Sequence, residues 1–104
     1  MRKFGIEDLA RCRERIDRLD LELLNLLNQR TGVVEEIGQI KRQIQMAIYE
    51  PKREDQVFAN IAAHNHGPLS DEAVKRIFER IIDEMRTVQQ MIILEQERER
   101  GDGD

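Results

Sequence analysis

Between Glu7 and Gln45 the chain has no proline, and apolar residues recur at Leu9, Cys12, Ile16, Leu19, Leu23, Leu26, Val33, Ile37, Ile40 and Ile44. These are the a and d places of one unbroken heptad register, which predicts a single helix over the whole stretch. At 1.5 Å per residue that helix is roughly 58 Å long. A compact globule of this size has a radius of gyration of about 13 Å. The helix is therefore expected to overhang any monomeric fold and to require a second apolar surface.

The remainder reads as two more helices. Tyr49-Glu50-Pro51 opens the second, because proline suits a first helical turn, and Val57, Phe58 and Ile61 form its apolar face. His64-Asn65-His66-Gly67-Pro68 ends it. Ser70 is an N-cap for the third, with Asp71 and Glu72 at the positive end of its dipole. The stripe Val74, Ile77, Phe78, Ile81, Ile82, Met85, Val88, Ile92 carries it to about Arg98, and the tail from about residue 99 is expected to be disordered. The expected fold is all-α, long-short-long, one domain over residues 1–104.

Composition narrows the function. Seventeen Lys and Arg against 21 Asp and Glu give a net charge of -4, without the basic excess of a nucleic-acid footprint. Aromatic residues are 4% and Trp is absent, so a ligand is expected to be held by charge and hydrogen bonds. No segment approaches a membrane span, and acids arrive before any apolar run of signal-peptide length. With Cys12 as the one cysteine, no intrachain disulfide forms, and the cytoplasm is the expected compartment.

Four polar residues fall where helical periodicity places a core. Arg30 fills an a place of the heptad register, and Lys41 lies eleven residues on, within about 20° of the same direction and about 16 Å along the axis. Glu54 precedes Val57, Phe58 and Ile61 by three, four and seven residues, and Gln89 interrupts the stripe of the third helix. Singly, each has a structural explanation, such as fixing register or favouring a helix dipole. Together, two cations, an acid and an amide pointing inward suggest a polar pocket for an anion, because burying them unpaired costs several kcal/mol, on the order of a pair's desolvation. Arg13 sits seventeen residues before Arg30, about 25 Å away and rotated by roughly 100°, so the two cannot share a small pocket in one chain. Two long helices paired antiparallel would bring Arg13 of one chain to Arg30 of the other.

Other candidates carry less. His64 and His66 are spaced i, i+2 without a nearby thiolate or carboxylate partner, which reads as a solvated loop and not a metal site. Cys12 at a d place reads as a small core residue, and Glu95 to Arg100 as a solvated helix end.

The residues also resemble a known family. Arg13-Glu14-Arg15-Ile16-Asp17-Arg18-Leu19-Asp20, Leu26-Leu27-Asn28-Gln29-Arg30, Glu36-Ile37-Gly38-Gln39-Ile40-Lys41, Pro51-Lys52-Arg53-Glu54 and Gln89 stand in the order and spacing of the all-α, AroQ-class chorismate mutases. The resemblance covers about residues 6 to 92. It implies a three-helix protomer intertwined with a second into a homodimer that converts chorismate to prephenate, a unimolecular rearrangement that uses no cofactor and no metal. It makes Arg30 and the partner chain's Arg13 the clamps for the substrate carboxylates, and Lys41 and Gln89 the donors to the ether oxygen of the breaking bond. Glu54 resembles the residue that holds the ring hydroxyl, with Arg53 and Glu50 on the same wall. Two positions depart from the family pattern: Met85 stands where some members have a small hydroxyl residue, and Glu50 where Asp is more usual. An isochorismate pyruvate lyase-like enzyme and a non-catalytic regulatory dimer are the alternatives.

Overall fold

The computed structural model describes residues 3–102. Three helices carry the fold: α1 (Ile6–Gln43), α2 (Pro51–His64) and α3 (Asp71–Asp102). Among the described residues there is no strand, as the long-short-long reading expects.

The ends of the helices follow from local chemistry. At the start of α1 the Gly5 amide donates to the Asp8 carboxylate (2.9 Å), one half of a capping box. The helix stops at Gln43, short of the expected Gln45, and Ile44 leaves the heptad register with the turn that follows. Met46 N–H donates back to Lys41 O (2.8 Å) and Gln45 N–H to Arg42 O (3.2 Å). This is a Schellman cap, and it places Gln45 in the left-handed region at φ 56°. Two inward carbonyl bonds of this kind terminate the ladder more firmly than the apolar pattern extends it.

Pro51 opens α2 as expected, and Asn65 closes it. The Asn65 amide then organises the turn to α3: its Nδ2 donates to Leu69 O (2.9 Å) and to the Asp71 carboxylate (2.7 Å), while its Oδ1 accepts from the Gly67 amide (3.1 Å). Ser70 caps α3 through Ala73 N–H donating to its Oγ (3.1 Å). Past the expected end near Arg98, α3 continues to Asp102. Glu95 to Arg100 consists of strong helix formers, and nothing in it breaks a helix. Gly103 and Asp104, the rest of the expected disordered tail, lie outside the described residues.

Contacts divide the chain into two units, Met1–Gly32 and Val33–Asp104. The first holds the N-terminal stretch of α1 and has no second layer of its own. Its stripe residues Leu9, Ile16, Leu19, Leu23 and Leu26 are 49% to 60% exposed. Cys12, expected in a core place, is exposed with them for the same reason.

In the second unit the end of α1, α2 and α3 form a small core of Val34, Val74, Ile82, Met85 and Ile92. The expected face of α2 is half-buried at Val57, Phe58 and Ile61, and the Lys75 ammonium of α3 sits 5.6 Å from the Phe58 ring centre. Gly38 lets α1 approach α3 closely. A Cβ there would lie 3.3 Å from Ile92 Cδ1 and 3.5 Å from Gln89 Cγ. A glycine inside a helix costs about 0.5 to 1 kcal/mol, here offset by the approach it permits. One turn further on, Gln96 donates to Gln39 Oε1 (2.6 Å) across the same contact. None of the described helices is long and apolar enough to cross a membrane.

Candidate functional site

Lys41 lies one turn after Gly38, and its side chain is 8% exposed. Its ammonium donates to Ile48 O (2.8 Å) and pairs with Glu50 Oε1 (2.7 Å). The Schellman cap folds the chain back over the end of α1 and brings Ile48 and Glu50 to Lys41. An ammonium has three N–H donors, and these contacts use two of them. A buried lysine with a carboxylate partner and a donor to spare is poised to meet a further acceptor.

Gln89 is 8% exposed on the α3 side of the Gly38 contact. Its Oε1 is buried and accepts no hydrogen bond. An unsatisfied buried amide oxygen costs about 1 to 3 kcal/mol, and such groups gather where a ligand or catalytic role compensates the fold. Met85, one turn earlier on α3, is buried in the core at 8% exposure.

Glu54 sits in the first turn of α2 and is half-buried rather than fully enclosed. Its Oε2 lies 3.6 Å from Arg86 Nε. Arg86 also pairs with Asp83 one turn back on α3, and its guanidinium carbon stands 5.5 Å from the Tyr49 ring centre. Sequence periodicity does not single out Arg86 or Tyr49. Arg86 reads as an ordinary partner of Asp83 at i, i+3, and its reach across to α2 is a tertiary relationship.

The second unit thus gathers Lys41, Glu50, Glu54, Met85 and Gln89 from all three helices and the α1–α2 connection. Arg53, placed by resemblance on the same wall, is exposed on α2. Arg13 and Arg30 belong to the first unit, Arg13 exposed and Arg30 half-buried. His64 ends α2 with its Nδ1 2.8 Å from Asn60 O, and His66 is exposed in the turn.

These features define a class: an all-α protein whose helix packing encloses a paired lysine and an unsatisfied amide in place of apolar side chains. The family model for chorismate mutase type II matches residues 12–90, and the chain belongs to that family. It is 34% identical over 91 residues to the bifunctional chorismate mutase/prephenate dehydratase of Aquifex aeolicus, an alignment that covers 84% of this chain and 25% of that protein. The chain therefore spans about a quarter of the length of that bifunctional relative. Among solved structures, chorismate mutase (form II) from Thermus thermophilus matches with a TM-score of 0.78 at 32% identity, covering 79% of this chain and 93% of that one. Chorismate mutase from Helicobacter pylori, solved in complex with prephenate, matches with a TM-score of 0.78 at 29% identity, covering 84% and 94%.

Proposed function

We propose that this chain is a chorismate mutase, rearranging chorismate to prephenate in aromatic amino-acid biosynthesis. The observation that carries the reading is the Lys41 ammonium, buried beside the α1–α3 contact with an N–H donor in reserve, in a chain of this family. The reaction breaks a C–O bond and forms a C–C bond within one molecule, so it needs no nucleophile. Its barrier falls when the flexible substrate is held in its compact conformer and when donors meet the negative charge that grows on the ether oxygen.

In this reading Lys41 and, through its amide Nε2–H, Gln89 are those donors, and Glu54 accepts from the ring hydroxyl. Arg30 clamps one substrate carboxylate, and Arg13 of a second copy clamps another. Glu50 keeps Lys41 in place, Arg53 flanks the same wall, and Met85 supplies apolar contact where a hydroxyl would otherwise bond. The mutase is a homodimer: the exposed stripe of Leu9, Ile16, Leu19, Leu23 and Leu26 is the surface that a second copy covers. A reducing compartment suits the single exposed thiol of Cys12, and we place the enzyme in the cytoplasm.

The deciding experiment follows loss of chorismate and identifies the product. Prephenate supports the reading. Turnover of isochorismate to pyruvate and salicylate without prephenate formation overturns it in favour of the lyase, and turnover of neither substrate overturns it in favour of a non-catalytic dimer.

A further inference from the structure

We propose that Arg86 is a positioning residue for Glu54, an assignment that rests on the mutase reading of the cluster. Its guanidinium is held from two sides. Asp83 pairs with one terminal nitrogen from the preceding turn of α3, and the ring of Tyr49 stands 5.5 Å from its central carbon. Among the donors these contacts leave is the Nε–H, which is buried and without a hydrogen-bond partner.

That nitrogen lies 3.6 Å from Glu54 Oε2, close enough for an ion pair and too far for a hydrogen bond. An anchored cation with a buried donor beyond bonding reach of a carboxylate is arranged to bond it after a small movement. Hydrogen bonds of this kind are often long in the empty site and tighten when substrate is present. Glu54 has two oxygens. When one accepts from the substrate's ring hydroxyl, the other turns to Arg86 Nε, and the charge-assisted bond fixes the rotamer of the side chain.

Tyr49 ties this arrangement to Lys41. Ile48 and Glu50 contact the Lys41 ammonium, while Tyr49 between them faces Arg86. Successive residues of the α1–α2 connection thus engage the two cations in turn, and Arg86 steadies both Glu54 and the segment that holds Lys41. An exposed ion pair would contribute little, typically about 0 to 1 kcal/mol. Here the Arg86 side chain is 33% exposed and that of Glu54 20%, so the pair is partly screened from water.

A double-mutant cycle on the full chain tests the assignment, with Arg86→Met, Glu54→Gln and the double variant assayed on chorismate beside thermal melts. Arg86→Met is expected to raise KM about tenfold with kcat within about threefold, the pattern of a lost ground-state contact. In the Glu54→Gln background the same replacement is expected to change kcat/KM by less than about twofold, because its effect runs through Glu54. Arg86→Lys, which keeps the charge without the planar fork, recovers part of the loss and serves if Arg86→Met does not fold. An unchanged KM in the single variant, or an equal loss with and without the Glu54 carboxylate, overturns the assignment while leaving the mutase reading intact. A wild-type chain inactive on chorismate overturns both.

Discussion

Glu50 occupies the N-cap place of α2, yet its carboxylate makes no cap hydrogen bond and lies instead 2.7 Å from the Lys41 ammonium at the end of α1. Its main-chain carbonyl still accepts the first bond of the helix, from Glu54 N–H (3.0 Å). The side chain is spent on the buried cation, and α2 relies on Pro51 to begin. A helix start is thereby coupled to the position of the residue proposed to act on the ether oxygen.

Removing Lys41 should therefore cost both activity and stability. Lys41→Met is expected to lower kcat by about 100- to 1000-fold, the usual effect of deleting a donor to developing charge. It also leaves Glu50 and Ile48 O without their partner, a penalty of about 1 to 3 kcal/mol. Adding Glu50→Gln should recover part of the stability and none of the activity. Steady-state kinetics and denaturant melts on both variants make the separation.

The turn between α2 and α3 hangs on one amide. Asn65→Ala removes bonds to Leu69 O, Asp71 and the Gly67 amide, and should destabilise the fold by about 1 to 2 kcal/mol. Catalysis at temperatures below the transition should be unaffected, since Asn65 touches none of the proposed site residues. A fall in the melting midpoint without a change in kcat/KM is the expected result.

The Schellman cap after α1 places a non-glycine residue at positive φ. Gln45→Gly relieves that conformation and should raise stability by about 0.5 to 1 kcal/mol, with the higher entropy of glycine in the unfolded chain subtracting part of the gain. Denaturant midpoints of the two proteins compare directly. A loss of stability would mean that the Gln45 side chain contributes contacts worth more than the backbone strain.

The proposed homodimer would make unfolding concentration-dependent. Sedimentation is expected to find a dimer at micromolar concentration, and the melting midpoint should rise with protein concentration. A stable folded monomer would remove the basis for a shared site.

The proposed shared sites predict complementation. Arg13→Ala and Arg30→Ala proteins should each be nearly inactive. Refolded together, half the dimers are mixed, and each mixed dimer holds one site with both arginines, so roughly a quarter of wild-type activity should return. Activity that stays at the level of the parents would place both arginines in one site of one chain.

Periodicity alone determined the three helices, because a heptad run without proline, a Pro51 start and a Ser70 cap act within a few residues of themselves. It also marked Lys41 and Gln89, since a polar residue in an apolar stripe is visible without knowing what it meets. Tertiary structure decided the rest. The early end of α1 at Gln43 depends on carbonyl bonds from a left-handed turn, which outweigh an apolar pattern that runs on to Ile44. The exchange of a cap bond for a lysine at Glu50, and the meeting of Arg86 with Glu54 and Tyr49, depend on distances between elements far apart in sequence. Such pairings arise when packed backbones bring charges together, and neither residue's local surroundings encode the partner it will find.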